Sequence, residues 1–251
     1  MIVPKPARVS ALVLLIASLH AWSAETKDKP SFQVDLKQFG YVADAAEYST
    51  LGFLSNDLLL VVVNQRVVYR VQALTTDSPG STFVVFDVAK KQMLRSAQMT
   101  VTNAARSVAV LTTGDFLVAS MDDVKLCSSD LRCDKSFPSH GGPPIDLNKA
   151  RTMTEMDATI RSDDSSVDGT RSVTAELSST TWNTVTHPLG GIDEPTRPNF
   201  RRVTVYDNKS QKTLISLHYD PKGHLVGPAL SPDGTKLAVV REGRLEIFDV
   251  P

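Results

Sequence analysis

The stretch LSPDGTKLAVVREGRLEIFDVP, residues 230–251, decides the fold. Ser-Pro-Asp-Gly at 231–234 is turn chemistry. Glycine reaches positive φ without a Cβ clash, and an aspartate accepts from backbone N–H groups just beyond it. A run of strand length follows at 236–240, then the bare turn 241–243, then the word LEIFD at 245–249. Short β-branched and apolar runs bounded by turn residues read as strands, and helical periodicity is almost absent from the chain. The Asp-Gly corner is either a ligand site or only the bend between two strands.

The same words recur upstream. FVVFD (83–87) and VTVYD (203–207) match LEIFD, and VKLCS (124–128) has the same alternation with Ser128 in the acid position. Asp87 and Ser128 stand 41 positions apart, Asp207 and Asp249 stand 42 apart, and Ser128 and Asp207 stand 79 apart. SVDGT (166–170) repeats SPDGT (231–235), while LTTGD (111–115) and LSND (54–57) are looser versions of a turn before an apolar strand. Four units follow, at about 47–98, 104–137, 153–218 and 223–251, with inserts at about 64–82 and 178–200.

A period near 41 residues built from short antiparallel strands is what a β-propeller blade needs. One four-stranded blade cannot bury both its faces, so neighbouring blades must supply the core. The words SPDG and aromatic-Asp resemble WD-repeat-like and TolB-type propeller repeats, in which SPDG turns the corner between the first two strands and aromatic-Asp ends the third. The resemblance covers most of 45–251 and is closest in the last unit; it departs from the WD pattern in lacking Gly-His and in placing Phe or Tyr where Trp would stand. The fold class it implies is all-β and propeller-like, with about four blades. The last unit shows only three strands, and SFQVDL (31–36) alternates like a strand, so the N-terminal segment is expected to supply the missing outer strand and clasp the ring shut. The rival expectation is an incomplete ring that pairs with another copy or partner.

The chain has 251 residues, 41% hydrophobic and 22% charged, with a formal net charge of -1. No basic surface points to nucleic acid or anionic lipid. Lys5 and Arg8 precede an apolar run at 11–22, which turns polar at AWSAETKDK. A core of roughly 12 apolar residues is too short to span a ~30 Å hydrocarbon layer and fits a secretory signal peptide cut after Ser23. An uncleaved anchor is the alternative. The expected organisation is a signal peptide at 1–23, an N-terminal segment at 24–46 and the propeller at 47–251, with a periplasmic or secreted destination. No later segment reads as an integral membrane span.

Cys127 and Cys133 belong to the exported part, where an oxidising compartment favours a local disulfide. Free thiols and a metal site are the weaker alternatives. Phosphate loops, zincin helices, paired CxxC words and the nucleophile elbow are all missing from the sequence. Asp164, Ser166, Asp168 and Gly169 fall at positions 1, 3, 5 and 6 of a calcium-type loop, but Ala175 stands where its closing acid belongs, which favours a turn. His140, His187, His218 and His224 form no metal word, and a single tryptophan after the signal, Trp182, argues against a quinone cofactor. No cofactor and no metal are expected.

The insert SSTTWNTVTHPLGGIDEPTRPNFRR gathers Trp182, His187, Arg201 and Arg202, residue types that anchor interfaces when a rigid scaffold carries a long loop. The competing reading packs Trp182 and Phe200 against their own blade. The leading functional expectation is an exported, non-catalytic propeller that binds another protein or serves as a scaffold, as the repeat resemblance implies. The alternative is a hydrolase or lyase whose polar residues converge on the axial channel; a ligand-sensing fragment of a larger assembly is weaker still.

Overall fold

The computed structural model describes residues 29–41, 50–64, 81–99, 107–119, 123–138, 150–155, 163–177, 200–219 and 225–251. Strand β1 (Phe32–Asp35) runs into a short 3-10 helix, Leu36–Phe39. Blade 1 holds β2 (Thr50–Phe53), β3 (Leu58–Asn64), β4 (Ser81–Asp87) and β5 (Gln92–Met99). Blade 2 holds β6 (Ser107–Leu111), β7 (Phe116–Ala119), β8 (Asp123–Cys127), β9 (Cys133–Pro138) and β10 (Ala150–Glu155). Blade 3 holds β11 (Asp163–Ser165), β12 (Arg171–Leu177), β13 (Phe200–Asp207) and β14 (Lys212–His218). Blade 4 holds β15 (Leu225–Leu230), β16 (Lys236–Arg241) and β17 (Arg244–Asp249). Each sheet is antiparallel, and together they make the all-β, propeller-like architecture that the repeats announce.

The expected clasp is present. β1 pairs antiparallel with β17, Phe32 opposite Ile247 and Asp35 opposite Arg244, and completes blade 4 in the order β1-β17-β16-β15. Asp35 then caps the 3-10 helix by accepting from Lys37 N–H at 2.9 Å, and Gly40 ends it at φ 87. Leu36 is fully buried, and Tyr41 lies over the β16–β17 turn, so close that a Cβ at Gly243 would fall 2.7 Å from its ring. Phe32 and Phe39 meet Phe86 of blade 1 edge-on at 6.2 and 6.0 Å. The clasp therefore seals the outer part of the seam between blades 4 and 1 as well as the edge of β17.

Period-2 alternation sends neighbouring residues to opposite seams. In β16, Ala238 and Val240 join Leu59, Val61, Val63, Val84 and Phe86 of blade 1, while Leu237 and Val239 join Val173, Val203, Val205, Ile215 and Leu217 of blade 3. A third cluster joins Leu60, Val62 and Phe83 of blade 1 to Val108, Val110, Phe116 and Val118 of blade 2, with Phe83 stacked on Phe116 at 6.0 Å. The packing order is blade 3, blade 4, blade 1, blade 2. Among the described residues no apolar cluster joins blade 2 to blade 3. The far face of blade 3 is polar, with Thr174 exposed and Glu176 and Arg202 side chains 63% and 50% accessible. Strand β1 thus completes blade 4 beside blade 1 as expected, while among the described residues no apolar seam joins blade 2 to blade 3.

One unit boundary differs from the sequence reading. The third unit was expected from about 153, but β10 pairs with β6 as a fifth strand of blade 2, Glu155 opposite Ser107. Alternation in RTMTE fits a strand and does not say which sheet it joins.

Deleting residues 25–37 removes one fully buried leucine, the edge-on contact of Phe32 with Phe86 and a row of strand hydrogen bonds. A buried Leu→Ala alone costs about 2–5 kcal/mol, and about 2–4 °C of Tm follows each kcal/mol in a chain of this size. The truncated protein is expected to melt more than about 10 °C lower by circular dichroism; an unchanged Tm would show that the clasp carries no load.

Candidate functional site

The Asp-Gly corners resolve first, because two of them are the same object. In blade 4, Ser231 Oγ donates to Asp233 Oδ1 at 2.6 Å, Thr235 N–H donates to that oxygen at 3.0 Å, and Lys236 N–H donates to Ser231 Oγ at 2.9 Å. In blade 3, Ser166, Thr170 and Arg171 repeat these bonds around Asp168 at 2.6, 3.0 and 3.0 Å. Gly169 and Gly234 sit at φ +68 and +71, as such a turn requires. The Ser166 hydroxyl, with Thr170 beside it, holds the Asp168 pKa down to about 2. Asp233 is also lowered: partial burial works against this, but hydrogen bonds from Ser231 and Thr235 outweigh it.

The corners also fasten blade to blade. Val167 N–H donates to Pro232 C=O at 2.8 Å, and Arg171 Nη1 reaches Gly234 C=O at 2.9 Å. Asp233 N–H donates to Asn56 Oδ1 at 3.0 Å, and Lys236 Nζ lies 3.2 Å from Asp57. Gly114 packs on Leu54, where a Cβ would approach its carbonyl oxygen to 3.0 Å. All four strand 1–strand 2 turns, 54–57, 112–115, 166–170 and 231–235, therefore meet at one end of the stack.

The calcium-type reading fails on geometry. Asp164 is buried and accepts from Leu230 N–H at 2.9 Å and Ser165 N–H at 2.8 Å, tying β11 to β15, while Asp168 serves its own turn. Among the described residues no group of three or more His, Cys, Asp or Glu is placed to hold a metal.

The strand-ending acids cap the hairpins that follow them. Asp87 accepts from Lys90 N–H at 2.8 Å and from its ammonium at 2.9 Å; Asp207 accepts from Ser210 N–H at 2.7 Å. These bonds hold both carboxyl groups below the usual carboxylate range. Asn208 is likewise engaged, donating from Nδ2 to Gly169 C=O at 2.8 Å and accepting from Ser172 Oγ at 2.7 Å.

Glu246 was not singled out from the sequence. It is fully buried in the seam between blades 4 and 3, accepting from Arg241 Nη2 at 2.6 Å and from Gln33 Nε2 of the clasp at 3.2 Å. Arg241 also lies 5.6 Å over the Tyr219 ring of blade 3. The strand alternation of LEIFD, which points residue 246 inward beside Phe248, was the available signal. A narrow apolar crevice between blades 1 and 2, lined by Thr50, Leu51, Gly52, Leu60, Val108 and Val110, is too tight for a water molecule.

The four residues named as a binding candidate are only partly placed. Trp182 and His187 lie outside the described residues. Arg201 is in β13 with its backbone alone described, and Arg202 is exposed on the far face of blade 3, 3.9 Å from Glu176 and opposite His218 in the ladder. His140 and His224 are also outside the described residues, and His218 is exposed. Cys127 and Cys133 form the expected disulfide. No helix among the described residues is long and apolar enough to cross a membrane.

The tight turns mark one end, and strand direction places the long connections at the other. β3 stops at Asn64 directly opposite Ser81, where β4 begins, and β12 stops at Leu177 opposite Phe200 of β13. Segments 65–80 and 178–199 thus both leave and rejoin their sheets at the end away from the Asp-Gly corners.

No family model matches the chain, and no curated protein matches it. Among solved structures, a chain of "Crystal Structure of Mitotic Checkpoint Complex" is similar at 13% identity and TM-score 0.35, covering 98% of this chain and 99% of its own. The "Myceliophteria_thermophila Cps50 (Swd1) beta-propeller domain" is similar at 12% identity and TM-score 0.24, covering 81% and 52%.

Two measurements test the corners. Alanine at either glycine incurs the left-handed strain of about 1–2 kcal/mol, but a Cβ at 169 meets nothing within 4 Å, whereas one at 234 falls 2.6 Å from Arg171 Cδ. Gly234→Ala is expected to lower Tm more than Gly169→Ala, and the gap to narrow when both are made in Arg171→Ala, which removes Cγ and Cδ but keeps the Cβ at 3.0 Å; equal shifts in the unaltered chain would refute the packing account. Asp87, Asp168, Asp207 and Asp233 bind protons more weakly folded than unfolded, so their stabilisation is present above the unfolded value of 3.8 and is lost as pH falls through their lowered folded values, about 2 for Asp168. Urea melts from pH 5 to pH 2 should steepen in that window, less so for Asp168→Asn. A flat profile would show that the corners do not contribute.

Proposed function

We propose that this chain is an exported, non-catalytic propeller-type module that binds another protein through the end opposite its Asp-Gly corners, with segment 178–199 and the neighbouring Arg201 and Arg202 as the principal contact. The observation that carries the reading is the division of the two ends. At one end the turns are short and their acids already accept hydrogen bonds within and between blades. At the other, paired strand ends are joined by the 16 residues 65–80 and the 22 residues 178–199, and a rigid scaffold with long connections is a common way to present a binding surface. Arg202 supports the reading because its side chain is half exposed on a polar sheet face, two residues from the start of β13.

Export is supported by the N-terminal charge and apolar pattern and by the Cys127–Cys133 bridge, since disulfides persist in oxidising compartments. The non-catalytic reading is supported by what the inward-facing acids do: Asp164 joins two inner strands, and Glu246 pairs with Arg241 and Gln33.

Replacing residues 178–199 with a short Gly-Ser turn should leave Tm within a few degrees and abolish recovery of the partner from an envelope extract. Arg202→Ala should weaken recovery. Equal recovery with the replaced segment would count against this end as the interface, and fractionation showing the chain in the cytoplasm would remove export.

A further inference from the structure

Three blades carry a related hairpin between their third and fourth strands, one residue shorter in blade 2. Each has a residue at positive φ in the turn: Lys91 at 56, Leu131 at 60 and Gln211 at 55. Each has a register shift two pairs from the turn, between Val85 and Phe86, Leu126 and Cys127, and Val205 and Tyr206. The pairs Phe86–Met93, Cys127–Cys133 and Tyr206–Thr213 are therefore equivalent, as are Asp87, Ser128 and Asp207. Blades 1 and 3 fasten the turn with the carboxylate. Blade 2 has Ser128 at that place and a covalent bond at the adjoining pair.

The blade 2 hairpin is also part of a seam. Cys127 is 1% exposed in the cluster shared with blade 1, opposite Phe116. Cys133 is half-buried and lies 3.8 Å from Met99 Sδ of β5. The turn reaches β5 through Arg95, which donates to Ser129 C=O at 3.3 Å and pairs with Asp130. A bridge across so short a loop adds little global stability by loop closure, so its effect is local.

We infer that the Cys127–Cys133 bridge is a redox-sensitive fastening of the outer seam between blades 1 and 2, taking the place of the carboxylate cap used in blades 1 and 3. A dithiol reductant opens it by exchange. Its thiolate attacks the more accessible Cys133 Sγ, the Sγ–Sγ bond breaks, and the electron pair leaves on Cys127 Sγ, which takes a proton. The second thiol of the reductant then displaces Cys133 as a thiol, and the reductant departs as its own disulfide. Both released thiols stay in an apolar setting, so the blades remain folded while the turn loses its pin at the register shift.

The test is hydrogen exchange of the whole exported chain with and without dithiothreitol, beside Cys127→Ala/Cys133→Ala, which removes the redox response. Reduction is expected to speed exchange at least tenfold in 92–99 and 123–138 and to leave 171–177 and 236–249 unchanged. The double variant should show the fast exchange in both conditions. Unchanged exchange on reduction would overturn the inference, and so would acceleration spread equally over all four blades, because the bridge would then be either idle or a global staple.

Discussion

Leu237, Ala238, Val239 and Val240 are consecutive residues of one strand, and all four are out of water. A pleated strand turns alternate side chains to opposite faces, so this burial requires a partner sheet on each side of blade 4. Blade 3 covers one face and blade 1 the other. Burying such side chains stabilises by about 1.5–3 kcal/mol each relative to exposure, and none of it is available to the sheet alone. The same demand passes outward to blade 1, whose Leu59–Val63 run is buried on both faces and needs blade 2. It stops at blade 3, whose outward face carries Thr174, Glu176 and Arg202 in place of apolar residues.

Stacking of apolar faces is non-directional and does not fix how far one blade slides along the next. The hydrogen bonds at the corners do. Val167 to Pro232, Arg171 to Gly234 and Asp233 to Asn56 join groups with narrow distance and angle requirements. They lie at the end where each strand 1–strand 2 turn must be tight. A shift by one strand residue, about 3.3 Å, would break every one of them. The corners thus set the register between blades, while the core supplies the attraction.

Much of this was legible in the sequence because it is local. SPDGT and SVDGT predict identical turns and have them; FVVFD and VTVYD predict strands that end on an acid and form them. Alternation in SFQVDL identified the clasp strand, and two cysteines at close spacing identified the bridge. The destination of β10 was not legible, since pairing with β6 is a long-range choice that RTMTE does not encode. Glu246 escaped for a related reason: alternation in LEIFD sets it on the Phe248 face, but its partners Gln33 and Arg241 come from pairing that the word does not encode. Of the candidate binding residues, Arg202 could be recognised as a charge, but its place opposite His218 and beside Glu176 depends on the ladder of blade 3. Trp182 and His187 were named on composition alone.

The Asp-Gly corner bears on function mainly by what it removes from consideration. An aspartate that accepts from a hydroxyl and two groups of the following threonine, as Asp168 and Asp233 do, has little left for a ligand, and its low pKa makes it a poor proton carrier near neutrality. The acids ending β4 and β13 are engaged in the same manner. Repetition of the motif therefore reflects a structural duty that every blade must meet, and sequence similarity among the units tracks that duty. A property that only one unit needs must lie where the units differ, which is in the connections at the opposite end and in the single hairpin where a disulfide replaces the acid.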